Sequence, residues 1–449
     1  MQTNFTAFQL EDPTVARADS IMRRCVHCGL CTATCPTYLI LGDERDSPRG
    51  RIYLMKQLFE QGEVTPSITR HIDRCLSCLS CVTTCPSGVD YMHLVDMARA
   101  RIESKAQRPL SQRMVRWFLR EVLPYRNRFR FVLALGWFAR PFRGAFASMG
   151  MQRTASALAL VPARVPRIKL RKVKDVIRTD ERRVRRVALM LGCVQEVLQP
   201  SINRAAIRML KRHGVDVVLV KEERCCGALS HHLGDEDEAL ASARHNVDAW
   251  TAAMRENPFD AILITASGCG TMVKDYGNLL ARDRGYAERA REVSSLARDI
   301  TEFIEELGMT TPLMWTSIKV AYHSACSLQH GQRVEIEPRA LLAQAGFTVV
   351  EIPEGHICCG SAGTYNILQP ELSGQLRGRK LANIAATTPD VVATGNIGCI
   401  NQLKAGSPVP VVHTIELLDW ATGGPAPRGL KQLESQIHPI QSLVEMASA

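Results

Sequence analysis

CVHCGLCTATCP (residues 25–36) returns as CLSCLSCVTTCP (residues 75–86), so the pattern C-x2-C-x2-C-x3-C-P occurs twice at a constant offset of 50 residues. A turn that carries a thiol at every third residue can wrap three sulfurs round one corner of a compact inorganic cube. The fourth cysteine leads away from that corner, and the proline behind it redirects the chain. Structural zinc would ask for paired C-x2-C elements with a longer spacer, and here each motif packs four cysteines into eleven residues.

This run is the one given for bacterial two-cluster ferredoxins, where the fourth cysteine of each motif ligates the other cluster. The same crossing predicts two 4Fe-4S clusters here. One ligand set is Cys25, Cys28, Cys31 and Cys85, and the other is Cys75, Cys78, Cys81 and Cys35. His27, between two of these ligands, reads as a packing or hydrogen-bonding neighbour.

Working outward, the 39 residues between Cys35 and Cys75 suffice for two helices. Ile52, Leu54, Met55, Leu58 and Phe59 recur at helical spacing behind Pro48, and a shorter helix is expected over 66–73. The stretch GDERDSPRGR (42–51) reads as a solvated, turn-rich loop. After Pro86, the residues Met92, Leu94, Val95, Met97, Ala98 and Ile102 repeat a helical pattern. Residues 1–20 are then a lead-in, and 21–105 a mainly helical, ferredoxin-like unit.

The chain has 449 residues, 46% of them hydrophobic, enough for about three domains with buried cores. No secretory signal is expected from the first residues, and the longest apolar run, 131–139, cannot span a bilayer. The expectation is a cytoplasmic protein, or one peripheral on the inner face of the cytoplasmic membrane. Sixteen cysteines in that compartment point to metal or redox chemistry rather than disulfides.

The net charge of +11 is concentrated: residues 101–190 hold 23 Lys and Arg against five acidic residues. Within 106–184, a basic stretch interleaves Trp117, Phe118, Tyr125, Phe129, Phe131, Trp137, Phe138, Phe142 and Phe146. Three readings stay open for it: an interdomain helical hairpin, a partner surface, or a membrane-interface segment. Residues 161–186 read as an exposed linker. Without a recognisable nucleic-acid-binding module, the charge does not predict a nucleic-acid partner.

A second duplication follows. Cys193, Cys225, Cys226 and Cys269 are echoed by Cys326, Cys358, Cys359 and Cys399, at offsets of 133, 133, 133 and 130 residues. Each half reads strand, helix, strand, helix, strand, which implies a parallel sheet over 185–315 and another over 316–420. Thiols at the C-terminal ends of parallel strands would share one crevice. The glycine after each Cys-Cys pair allows positive φ and a close backbone approach to whatever the thiols hold. Cluster, zinc or thiol chemistry are all compatible with these sets, and His231, His232, His323 and His356 are candidate extra ligands. The acidic run 235–238 reads as the start of a helix. Neither G-x-G-x-x-G after a strand nor a P-loop is found, so no flavin or nucleotide is expected on this chain.

The double motif followed by two C-x31-CCG repeats resembles the CCG-domain family. That family includes subunits of heterodisulfide reductase, anaerobic glycerol-3-phosphate dehydrogenase and lactate-utilisation enzymes. RCVHCGLCTATCPTY (24–38), SPRGRIYLMKQ (47–57), CCGSAGTY (358–365) and NIGC (396–399) are similar to the iron-sulfur subunits of bacterial glycolate oxidases (glycolate dehydrogenases). The similarity runs to about residue 420, leaving a tail at 421–449.

The resemblance implies an α+β multidomain fold and an electron-transfer subunit rather than a chain that oxidises substrate itself. It implies two flavoprotein partner subunits that convert glycolate to glyoxylate, and a membrane quinone as acceptor. The alternatives are a related D-lactate or glycerol-3-phosphate complex, or a thiol-disulfide enzyme acting through Cys225-Cys226 or Cys358-Cys359. In heterodisulfide reductase the CCG motif ends in C-x2-C. Ala266 and Asn396 stand at the earlier position of that pair here, which leaves four thiols per half.

Overall fold

The computed structural model describes residues 1–162, 176–179, 181–310, 312 and 314–439; most of the expected linker and the end of the tail lie outside the described residues. The N-terminal unit is helical. Ser47 caps the helix Pro48–Gln61 by accepting from Gly50 N at 2.9 Å, with Pro48 in its first turn, where the missing N–H costs nothing. Thr65 and Asp90 cap Pro66–Asp73 and Tyr91–Lys105 in the same way. Together with Pro13–Arg23, these helices bury Met22, Met55, Leu58, Phe59, Ile72, Leu94 and Ile102 in one core. Each such side chain contributes roughly 1.5–3 kcal/mol of transfer free energy.

Two parallel sheets follow. The first is formed by β1 (Val176–Ile177), β2 (Arg185–Met190), β3 (Val215–Val218), β4 (Ala261–Ile264) and β5 (Ala297–Asp299), in the order β1-β3-β2-β4-β5 with β1 antiparallel at the edge. After β6 (Met314–Thr316), the second comprises β7 (Lys319–Tyr322), β8 (Thr348–Glu351), β9 (Val391–Thr394) and β10 (Val411–His413) in the order β10-β9-β7-β8. β11 (Ile437–Pro439) pairs antiparallel with β6. Central strands β4 and β9 are buried along their whole length, which is why they read as unbroken apolar runs.

The duplicated order makes the halves structural repeats, each with a fourth parallel strand beyond the three the sequence suggested, and the first sheet also gains the antiparallel edge strand β1. The additional strands, β5 and β10, are three residues long, and each feeds a helix closed by a capping box, at Asp299 and at His413. The halves share one core, containing Val187, Leu263, Val320 and Val392. His413 Nε2 donates across the join to the Thr265 carbonyl at 2.8 Å, and Arg208 and Arg212 clamp buried Asp419.

Two expectations change. The stretch 42–51 is solvated only at its start: Gly42, Glu44 and Arg45 are exposed, whereas Asp46 and Ser47 are fully buried and Arg51 is 1% exposed. Asp46 is held by Arg51 at 3.2 Å, Arg74 at 2.9 Å and His71 at 3.0 Å, so these charges neutralise one another inside the unit. The basic aromatic segment forms helices Leu110–Val122 and Arg126–Ala139, then Arg143–Ser148 and Gln152–Ala159. One face packs Val122, Phe129 and Leu133 on Val197 of the first repeat. Arg116 donates to the Leu233 carbonyl, and Arg120 and Arg126 pair with Asp235 and Glu223.

Candidate metal centres

The first motif leaves the helix Pro13–Arg23 and turns through left-handed backbone at His27 (φ 55°) and Gly29 (φ 84°). A surface cleft is lined by Cys25, Cys28 and Cys31, together with Cys81 and Cys85 of the second motif. Cys28 is exposed, and Val26 and Leu30 beside it present apolar surface. His27 is exposed and meets the protein through its carbonyl, which accepts from Arg49 Nη1 at 3.3 Å.

The second motif turns in the same way at Ser77 (φ 50°) and Leu79 (φ 63°). Its thiols gather with Cys35. Burial, then the neighbouring Cys78, Cys75 and Cys35 sulfurs, push the Cys81 thiol well above its ordinary value. Arg51 Nη1 lies 3.8 Å from Cys35 Sγ, Thr37 Oγ1 lies 3.3 Å from it, and Tyr91 donates to Cys75 Sγ at 3.7 Å. Such hydrogen bonds and a buried cation stabilise thiolate charge and tune whatever the thiolates hold.

In each repeat the first cysteine follows the first strand, the Cys-Cys pair ends the loop after the second, and the last sits on the helix after the third. Cys193 Sγ lies 3.6 Å from Cys225 Sγ, and Cys226 adjoins Cys225 and Cys269. In the second repeat Cys326 adjoins Cys358, and Cys359 adjoins Cys358 and Cys399. The Cys358 contact and burial push Cys326 well above the usual thiol range. Four crowded thiols, two of them fully enclosed at the Cys-Cys pair, are the donor set that a thiophilic metal or iron-sulfur group takes, so each set fits such a group.

Gly227 and Gly360 have φ of 84° and 86°. The close approach they permit is to a helix, not to the thiols' occupant: an added Cβ would lie 3.1 Å from the Ala239 carbonyl or 2.7 Å from that of Ser373. Asn396 caps its own helix by accepting from Gly398 N at 2.7 Å and donates to Ser267 Oγ at 2.7 Å, so it joins the halves. Among the four candidate histidines, only His323 meets thiols. His231 and His232 face Asp96 of the N-terminal unit, and the His356 carbonyl faces His330.

All eight repeat cysteines, with Cys75 and Cys78, line one cavity of about 550 Å³. Its other wall is apolar, built from Phe118, Leu119, Phe129, Leu133 and Leu158 of the basic aromatic helices. Cys78 and Cys326 pack in one cluster with Cys358 and Leu76, so the second motif abuts the second repeat. That juxtaposition is the part of the site that spacing could not reveal, because it depends on how the helical unit docks. No helix among the described residues is long and apolar enough to cross a membrane.

A helical double-cysteine unit joined to two parallel-sheet thiol repeats defines an iron-sulfur protein. Residues 21–89 match the 4Fe-4S dicluster domain family, and residues 187–274 and 320–404 match the cysteine-rich CCG domain family. The chain is 43% identical over 421 residues to the glycolate oxidase iron-sulfur subunit of Escherichia coli (strain K12), covering 94% of this chain and 99% of that protein. It is 31% identical to the probable glycolate oxidase iron-sulfur subunit of Bacillus subtilis (strain 168), covering 89% and 94%. Lactate utilization protein A of Exiguobacterium sp. is 28% identical, over 52% of this chain and 96% of its own length. The crystal structure of a hypothetical protein from Helicobacter pylori shares the fold, with a TM-score of 0.51 at 10% identity, over 95% of this chain and 74% of that one. The chain belongs to the glycolate oxidase iron-sulfur subunit family.

Proposed function

We propose that this chain is the electron-transfer subunit of a flavin-dependent glycolate dehydrogenase, taking electrons from flavoprotein partners and delivering them to a membrane quinone. The observation that carries the reading is the sequence of thiol sites: an exposed set at Cys28, a buried set behind it, and Cys78 packed against Cys326 and Cys358 at the mouth of an apolar cavity. Cys25, Cys28, Cys31 and Cys85 would hold one 4Fe-4S cluster, and Cys75, Cys78, Cys81 and Cys35 the other. When bound, such clusters supply reversible one-electron transfer. The chain's own residues set the conditions: Val26 and Leu30 offer an apolar rim for a donor protein at the exposed end, and Arg51 holds positive charge beside Cys35.

At the other end the cavity suits a lipid-soluble acceptor. Quinone reduction takes two electrons and two protons to give quinol, and Phe118, Phe129 and Leu133 would seat the ring while the thiol sets floor the site. Phe131, Leu135, Phe138 and Phe142 form an exposed stripe at helical spacing, with Leu110, Met114 and Trp117 on the neighbouring helix. Exposed Arg113, Arg128 and Arg143 flank them, a combination that matches an anionic bilayer surface. Thiol exchange with a disulfide substrate fits less well, since burial and crowding hold the Cys359 and Cys226 thiols in the unreactive protonated form.

The test uses the chain in its host. Deletion should abolish growth on glycolate and spare growth on D-lactate, and complementation with Cys28→Ser or Cys78→Ser should not restore it. Loss on D-lactate alone would overturn the substrate assignment. Restoration by both cysteine variants would overturn the electron-transfer reading.

A further inference from the structure

The duplicated halves differ where their chemistry is decided. Three residues before Cys193 stands Met190, and three residues before Cys326 stands His323. Both follow the same register of equivalent strands and both are buried, at 2% and 1% exposure. Met190 packs in the apolar core of its half. His323 has no such rest: neither ring nitrogen has a hydrogen-bond partner. A buried polar group left unpaired costs about 1–3 kcal/mol, so an orphaned imidazole needs another partner.

That partner is indicated by what faces it. One ring nitrogen of His323 and the sulfurs of Cys359 and Cys399 all lie within 4.8 Å of one another. Neutral imidazole is a common metal ligand. A second asymmetry points the same way. On the helix after the Cys-Cys pair the first half has neutral Asn246, which donates to the Cys225 carbonyl at 3.0 Å, where the second has Lys380, 1% exposed, whose Nζ donates to the Glu354 carbonyl at 2.8 Å. Its charge acts on Cys326, Cys358 and Cys359 from a buried position, whereas in the first half the cation that acts on the thiols is the more exposed Arg126, on Cys193 alone.

We propose that His323 is a metal ligand, completing with Cys359 and Cys399 a mixed imidazole–thiolate transition-metal centre in the second repeat, while the first repeat offers thiolates only. The proposal deepens the reading of the repeat cysteines as metal sites and does not depend on which substrate feeds the chain. A neutral imidazole ligand brings no negative charge to a centre where a thiolate would, and in iron-sulfur proteins histidine ligation raises the potential. Iron and zinc share this ligand chemistry, and metal counts separate them.

The experiment uses the full chain, purified without oxygen. Iron, sulfide and zinc are counted per chain, and metal-bound nitrogen is read by pulsed electron paramagnetic resonance for iron or X-ray absorption for zinc. The wild type should show metal beyond the roughly eight irons of the two N-terminal clusters, with directly bound nitrogen. His323→Ala should lose about four irons or one zinc from that additional metal. His323→Cys should keep the metal and lose the nitrogen signature, and it decides the matter if the alanine variant does not fold. Met190→Ala should change neither. Nitrogen coordination that persists in His323→Cys, or an unchanged metal count in folded His323→Ala, overturns the proposal. A wild type with eight irons and no other metal overturns it too, and leaves the electron-transfer reading standing.

Discussion

His93 should make the docking of the helical unit on the first repeat sensitive to alkali. It lies on the helix Tyr91–Lys105, with Nδ1 at 2.6 Å from Asp90 and Nε2 at 3.0 Å from Asp275 of the repeat, and Arg17 lies 3.6 Å from Asp90. Burial alone would lower its pKa, but the two carboxylates outweigh burial and lift it from 6.5 to about 9. A raised pKa means the folded interface binds the proton more tightly than the separated surfaces do. The stabilisation is therefore fully present below pH 6.5 and is lost as pH rises through about 9. The whole shift corresponds to roughly 3 kcal/mol, but Asp90 belongs to the same unit as His93 and keeps its hold when the surfaces part, so the opening equilibrium changes by less than about 300-fold.

Hydrogen exchange of residues 91–105 and 275–279, measured from pH 6 to 10, reads that opening. His93→Gln keeps a hydrogen bond to Asp275 without the charge. It should already exchange fast at pH 6 and, corrected for the intrinsic rate, show little further change. The neighbouring contacts of Asp96 with His231 and His232 are common to both proteins, so the difference between them isolates His93. Parallel pH profiles for the two would refute the argument.

Arg51→Met should destabilise the helical unit by about 3–5 kcal/mol, because it leaves part of the buried Asp46 charge uncompensated. It should also lower the midpoint potential of a cluster held at Cys35, with Arg51→Lys partly restoring it in a redox titration; an unchanged potential would remove Arg51 from the tuning of that site. Gly234 has φ 81°, and an added Cβ would lie 2.5 Å from the Arg99 carbonyl. Gly234→Ala should therefore loosen the same docking at every pH, seen as faster exchange over 91–105 with the iron content unchanged.

The thiol chemistry was legible because metal ligands need fixed spacings, and two duplications with constant offsets left little else to explain the sixteen cysteines. β4 and β9 were legible because strands covered on both faces become runs such as AILI and VVAT. β5 was not: it reads ARD, with Asp299 spent on capping the next helix, and only its pairing with β4 makes it a strand. The second half of 42–51 misled because buried Asp46 is held by Arg74 and His71 as well as by Arg51, and local composition cannot register a partner 28 residues away. His323 was one of four candidates by proximity in sequence. The signal that separates it was present all along in the 133-residue offset, which sets it against Met190.

That asymmetry bears on what the duplication is for. Two identical thiol sets facing one cavity would give an acceptor two equivalent contacts, but the N-terminal unit does not treat them equally. Cys78 packs against Cys326 and Cys358, Lys380 acts on those same sulfurs, and His323 stands beside Cys359 and Cys399 of the same set. The first set has Arg126 acting on Cys193 alone, and its Cys-Cys pair meets neutral groups, with Asn246 and Tyr276 bonding the Cys225 and Cys226 carbonyls. The half beside Cys78 therefore also has the environment that best stabilises added negative charge. An electron arriving at the second motif would be drawn towards the second repeat, and the first repeat, across the cavity, would meet whatever occupies the space between them.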